Sequence, residues 1–283
     1  MVPEILVWKL NLENDQYHKT RITFKKIPVN LNEVSKLLPG GAYTTFRTFN
    51  HNQVLSLNAH FSRLKETAFL VKKEIAINSE SLRVALREAV SEFENGDMRV
   101  RIVVDLEVEP GIVYFAIEKL NTPSIQDYQQ GVKVITRKMH RNNPKAKLTE
   151  FITAASAARS GIKDIEEILM ISENGQILEG LSSNFFGVCN GKVFTADEGV
   201  LSGITRSAVI RCAEKANIPL SYKLISISDI RELEEAFITS TSRSILPVNQ
   251  IDHVVIGNGK PGSITLTLMK QLQELICEEA EVI

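Results

Sequence analysis

The stretch Gly180–Val209, GLSSNFFGVCNGKVFTADEGVLSGITRSAV, decides how the whole chain is read. Two strand-like pieces, NFFGVCN and KVFTA, lead through a glycine turn into the amphipathic segment ITRSAVIRCAEKANI, which has the spacing of a helix. Gly203-Ile204-Thr205 opens that helix. Backbone N–H groups exposed at such a start attract phosphate or carboxylate, helped by the helix dipole. Upstream, EEILMIS and QILEG extend the β region. Downstream, AFITSTS reads as a strand ending in the hydroxyl cluster Thr239-Ser240-Thr241-Ser242. Such a cluster suits an oxyanion, and equally a simple turn.

Working outward, helices and strands interleave along the entire chain, which means an α/β or α+β fold. The first part opens with the strand-like EILVWKL and RITFKKI, a turn at Gly40-Gly41 and the strand AYTTFRTF. LNAHFSRLKETAFLV has helical spacing at Phe61, Leu64, Ala68 and Phe69, with Asn58 as its cap. SESLRVALREAVSEFENG is a second helix, capped by Ser79 or Ser81 and followed by Gly96. VRIVVDLEV and GIVYFAIEKL form a strand–turn–strand about Glu109-Pro110-Gly111. The polar segment at 121–131 breaks the pattern and reads as a linker. It separates a small α/β domain over 1–120 from a larger domain over 132–283. The larger part continues with the strand VKVITRK, a polar loop, the helix TEFITAASAARSG, a short helix in ISISDIRELEEA and a closing helix from Ser263.

Composition narrows the function. The 283 residues carry 33 basic and 34 acidic side chains, a net charge of −1. No basic face of the kind that binds nucleic acid is expected. No apolar run is long enough to span a membrane. The opening MVPEILVWKLNLENDQ lacks the features of a secretory leader. Cys189, Cys212 and Cys277 are odd in number and widely spaced, as suits buried thiols in a reducing cytoplasm. The five histidines show no metal-ligand spacing, and neither a phosphate-binding P-loop nor a serine-hydrolase elbow is present.

The ordered set Lys147, Glu179-Gly180, Ser183-Asn184-Phe185-Phe186, Gly203-Ile204-Thr205-Arg206, Thr241 and Pro247-Val248 resembles the class IV aminotransferases. These are fold-type-IV pyridoxal phosphate enzymes. They include branched-chain and D-amino-acid aminotransferases and aminodeoxychorismate lyase. YTTFRTFNHNQVLSLNAHFSRLKETA is similar to the same family's N-terminal signature, with its His-x-x-Arg-Leu helix. The likeness covers residues 40 to 250.

The resemblance implies two domains, the larger with a barrel-like β core, and pyridoxal 5'-phosphate between them. It also implies a homodimer acting on small amino and 2-oxo acids. Of the two lysines in KAKLTEF, Lys147 matches the Schiff-base lysine better than Lys145. Such an amine must be partly desolvated to be neutral near pH 7. Glu179 matches the partner of the pyridine nitrogen. Arg63 matches the phosphate arginine, its planar fork suited to the task. The amides of Ile204 and Thr205 and the hydroxyls of Thr205 and Thr241 complete the cup. Ser183 and Asn184 match the pair beside the cofactor and hold the turn that aims Glu179, and Arg206 reads as a helix-start residue in a salt bridge or exposed. Tyr43, Arg47 and Arg101 match substrate-side positions. LTEF departs from the branched-chain pattern after the lysine, and Thr44-Thr45 is similar to the lyase branch. A lyase eliminating pyruvate and a non-catalytic cofactor-binding relative are the alternative readings.

Overall fold

The computed structural model describes residues 5–94 and 96–283. Glu4, at the head of the first expected strand, and Asn95, in the tail of the second expected helix, lie outside the described residues. The chain divides into two compact units. One comprises the described residues up to Asn121, Ala146–Ala158 and Glu279–Ile283; the other comprises Thr122–Lys145 and Arg159–Glu278. The division therefore does not run once through 121–131. The segment after Lys145 belongs with the N-terminal unit because it bonds β3: Gly41 N donates to Thr149 Oγ1 and Thr149 N to Gly41 O, both at 2.9 Å.

The first unit contains β1 (Ile5–Glu13), β2 (Gln16–Arg21), α1 (Leu31–Leu37), β3 (Gly41–Arg47), β4 (Gln53–Val54), α2 (Leu57–Leu70), α3 (Ser79–Ser91), β5 (Met98–Asp105) and β6 (Val113–Lys119). The strands make an antiparallel sheet in the order β2-β1-β6-β5-β3. Alternate residues face α2 and α3. Trp8, Phe46, Ile102 and Phe115 pack there with Phe61, Leu64, Leu82 and Leu86. Full burial of such a side chain contributes roughly 1.5–3 kcal/mol. The intervening residues are also covered, Val7 and Ala116 by Leu31 and Val34, and Tyr43, Val103 and Tyr114 by Ile152. Burial on both faces explains why Ile102-Val103-Val104 is apolar without alternation.

Several local expectations need correction. The second strand is QYHKTR, not RITFKKI. Ser56, at φ 57°, precedes α2, while Asn58 lies inside the helix and accepts from Arg83 Nη2 at 2.9 Å. Asn78, not a serine, caps α3, accepting from Ser81 N. Phe69 is 81% exposed, because the buried stripe of α2 runs through Phe61, Leu64 and Ala68.

In chain order, the remaining elements are α4 (Ile125–Gln130), β7 (Val132–Lys138), α5 (Glu150–Arg159), β8 (Glu167–Ile171), β9 (Gln176–Gly180), β10 (Asn184–Cys189), β11 (Lys192–Thr195), α6 (Ile204–Lys215), β12 (Leu220–Tyr222), β13 (Ile225–Ser226), β14 (Glu235–Ser240), β15 (Ser244–Ile251), β16 (Val254–Val255), α7 (Ser263–Glu279) and β17 (Glu281–Val282). The last pairs with β4. The helix expected in ISISDIRELEEA is instead β13 and one 3-10 turn at Ile230–Glu232. Local bonds among Ser226, Ser228 and Asp229 offer the backbone an alternative to a helix.

The second unit's strands run β10-β14-β15-β7-β8-β9, and β9 pairs back onto β10. The ring so formed is barrel-like. The closing pair is Asn184 opposite Glu179. Leu169, Ile177, Phe185, Ile238, Leu246 and Val248 belong to its apolar cluster.

Candidate active site

In the first unit, β3 presents Tyr43, which is 6% exposed. Two cations lie over its ring: Lys147 Nζ at 4.7 Å from the centroid and Arg101 Cζ at 5.1 Å. Lys147 is held by its backbone, its N–H donating to Thr67 Oγ1 at 3.2 Å and its carbonyl accepting from Tyr43 N at 2.9 Å. It is half-buried, whereas Lys145 is exposed.

Nearby on α2 lies His60, 1% exposed, with Nδ1 2.7 Å from Thr44 Oγ1. Its Nε2 has no hydrogen-bond partner among the described residues. Burial, reinforced by the charges of Arg63 and Lys147, pushes its pKa well below 6.5. Arg63, one turn further along α2, is half-buried.

Two of the substrate-side candidates, Arg101 and Arg47, have partners within the first unit. Arg101 is 3% exposed. Its Nε donates to Thr45 Oγ1 at 3.0 Å, and Nη1 donates to Leu31 O, Asn32 Oδ1 and Ser35 Oγ at 2.7–3.1 Å. Desolvation lowers its pKa to about 10. Arg101 thus clamps α1 to β5. Arg47 pairs with Asp97 at 3.3 Å and stacks on Phe49. Thr44 and Thr45 are each engaged, by His60 and Arg101.

In the second unit, Glu179 is the penultimate residue of β9, at 2% exposure. Arg141 Nε donates to Oε1 at 2.8 Å; Asn184 Nδ2 at 3.0 Å and Leu201 N at 3.2 Å donate to Oε2. Asn184 also donates to Leu201 O at 2.8 Å. A Cβ at Gly203 would overlap Asn184 Oδ1, so glycine is required where the chain enters α6. A buried carboxylate fixed by a guanidinium and two N–H donors is a preorganised charge.

Residues 41–251 match the family described as amino-transferase class IV. This chain is a class IV aminotransferase. It is 30% identical over 257 residues to a Thermotoga maritima protein named "Probable branched-chain-amino-acid aminotransferase", covering 89% of this chain and 92% of that one. A D-alanine aminotransferase of Listeria monocytogenes serotype 4b is 30% identical over 262 residues, covering 85% and 89%. A branched-chain amino acid aminotransferase of T.th., solved with pyridoxamine 5'-phosphate, superposes with a TM-score of 0.80 over 97% of this chain and 94% of that chain. At 21% identity that likeness shows the fold. Class IV aminotransferases are enzymes and use pyridoxal 5'-phosphate.

The aminotransferase's own residues fit that cofactor's phosphate. Gly203 gives α6 no side-chain cap, so the first amides, including those of Ile204 and Thr205, are not capped by the residue before them. At the end of β14, Thr239 Oγ1 is buried without a hydrogen-bond partner among the described residues. Thr205 and Thr241 are half-buried. Arg206, expected to be paired or exposed, is buried and donates to Ala196 O at 2.7 Å and Asp197 Oδ1 at 3.1 Å. Ser183 donates to Glu167 at 3.0 Å, and Asn184 donates to Glu179 at 3.0 Å.

Sequence reasoning did not single out Arg141, Glu167, Arg243 or His60 as chemistry-bearing. Arg141 sits in the polar loop MHRNNPKAK with no distinctive spacing. Arg243 directly follows the hydroxyl cluster, and that adjacency was the available signal.

Proposed function

We propose that this enzyme moves an amino group from an amino acid or amine to a 2-oxo acid, with Lys147 and Glu179 at the centre of the chemistry. The observation that carries this reading is the buried Glu179 carboxylate, locked by Arg141, Asn184 and Leu201. Its position 32 residues after Lys147 follows the family order. Pyridoxal phosphate, when bound, supplies an aldehyde carbon that accepts the amino group and a ring that draws electrons from the substrate Cα.

Lys147 Nζ would hold the aldehyde in the resting enzyme. Once released, it would take the Cα proton of the donor. Its placement against the Tyr43 ring restricts its solvation and aims it. Glu179 would hold a proton on the pyridine nitrogen. Arg63, the Ile204 and Thr205 amides and the Thr205 and Thr241 hydroxyls would bind the phosphate, with Ser183 and Asn184 holding the turn behind Glu179. The donor's amino group passes to the acceptor's carbonyl carbon; an amino acid donor leaves as its 2-oxo acid and an amine donor as its aldehyde or ketone, while the acceptor leaves as an amino acid.

Homodimeric assembly in the cytoplasm belongs to the same reading, and light scattering tests the mass. The deciding experiment is a screen of D- and L-amino donors and amines with 2-oxoglutarate and pyruvate. Glutamate or alanine formed in proportion to the donor consumed is the expected result. Pyruvate released from an aminodeoxychorismate-type substrate, with no amino transfer from any donor, would replace this reading with the lyase.

A further inference from the structure

Glu167, the first residue of β8, is fully buried and collects donors from two separate turns. Its Oε2 accepts from Ser182 N at 3.2 Å, Ser182 Oγ at 2.7 Å, Ser183 Oγ at 3.0 Å and Arg243 Nη2 at 2.8 Å. Its Oε1 accepts from Ile168 N at 3.0 Å and lies 3.5 Å from Arg159 Nη1. Arg243 follows the hydroxyl cluster directly. Its Nε donates to Ser240 Oγ at 3.0 Å, Nη1 to Glu166 Oε1 at 3.1 Å and Nη2 to Ser182 Oγ at 2.8 Å. Its carbonyl accepts from Tyr128 Oη at 2.9 Å. A Cβ at Gly180 would overlap Ser183 Oγ and the Glu167 side chain, so the chain leaving Glu179 presses against Ser183 and Glu167.

We propose that Glu167 and Arg243 are positioning residues that lock the Thr239–Ser242 turn to the Ser182–Ser183 turn, so that the phosphate hydroxyls and the Glu179 carboxylate are held at a fixed separation. This rests on the cofactor assignment made above. Neither residue is placed on the cofactor; they act through Ser240, Ser182 and Ser183. A buried ion pair is a poor way to gain stability alone, since apolar residues of similar volume serve as well or better. What it supplies here is direction: one carboxylate oxygen gathers four donors from two turns, which an apolar pair would leave free to slide. Burial would raise the Glu167 carboxyl's pKa. The Arg243 charge and the Ser182 hydroxyl outweigh it, and the group stays below its ordinary range.

The test compares the affinity of the apoprotein for pyridoxal phosphate and for pyridoxal, which lacks the phosphate, by absorbance titration. In the wild type the phosphate carries a large advantage. In Arg243→Lys and Glu167→Gln, that advantage is expected to fall about tenfold, as loss of a charge-assisted bond would produce. Thr241→Val should lower the advantage in the wild type and much less in the Arg243→Lys background, because coupled residues are not additive. Ser182→Ala removes only a hydroxyl from the turn and gives the same direction, about threefold, where the charged variants fail to fold. Lowered melting temperatures with an unchanged phosphate advantage would overturn the proposal and leave the pair a core ion pair only. A wild-type protein with no preference for the phosphorylated form would instead remove the cofactor assignment, and this inference with it.

Discussion

Arg141 Nε stands 2.8 Å from Glu179 Oε1, and both side chains are buried, 5% and 3% exposed. The two lie 38 residues apart, on the loop after β7 and at the end of β9. Arg141 also donates to Leu181 O at 3.3 Å, so it grips the chain on both sides of Gly180. Removing the guanidinium strands a buried carboxylate. Arg141→Met, which keeps much of the volume, is expected to cost about 3–5 kcal/mol of apoprotein stability, the range for breaking one side of a buried pair. Chemical denaturation measures it. Adding Glu179→Gln to Arg141→Met should recover part of that loss, and additive losses would show that the pair is not coupled.

Glu179→Gln alone should fold and bind pyridoxal phosphate while slowing amino transfer. Loss of a charge-assisted bond of about 1.5–3 kcal/mol, expressed fully in the transition state, is one to two decades of rate. Single-turnover rates with a good donor are the measurement, and wild-type rates would remove Glu179 from the chemistry.

Borohydride reduction of the cofactor-loaded protein, followed by peptide mapping, should place the label on Lys147, and Lys147→Ala should take no label. Half-burial against Tyr43 favours Lys147 over the exposed Lys145. A label on Lys145 would shift the assignment by two residues.

Arg63→Ala should weaken cofactor binding about ten- to a hundredfold, the effect of one lost arginine–phosphate bond. Lys65→Ala, on the exposed side of the same helix and 3.5 Å from Ser79 Oγ, should leave affinity unchanged. Equal affinities would make Arg63 a structural residue of α2.

The buried His60 predicts a pH dependence of stability. Its folded pKa lies below the ordinary 6.5, so the unfolded chain takes up the proton first. The stabilisation is complete above about pH 6.5 and is lost as pH falls, with a slope approaching about 1.4 kcal/mol per pH unit. His60→Gln should flatten this part of the profile. Denaturation curves at about pH 5 and about pH 7.5 compare the two proteins, and equal slopes would show that other groups govern the acid limb.

Elements with one strong period were legible in the sequence. α6, α7 and β10 follow directly from apolar spacing and the glycine before Ile204. The strand SILPVNQI was not legible, because Pro247 in a strand argues against it; yet it forms β15, with a register shift beyond Val248. The α6 start was legible from the glycine turn. Lys147 and Glu179 were proposed through family order, since each motif occupies a fixed place along the chain, and the structure adds their burial. Arg141, Glu167 and Arg243 were not. Their significance comes from strands that fold back on one another, and nothing local distinguishes a buried arginine from a surface one.

The ring of strands closes where Asn184 meets Glu179, with Leu181, Ser182 and Ser183 as the connection. The seam of the barrel and the proposed partner of the cofactor ring are therefore the same residues. Strands alternate their faces, so a slip of one position would turn Glu179 away from Arg141 and leave its charge on the wrong side of the sheet. This short turn therefore has no freedom of length. An inserted or deleted residue there would shift the Asn184–Glu179 register and open the barrel wall at the place where the proposed ring partner sits.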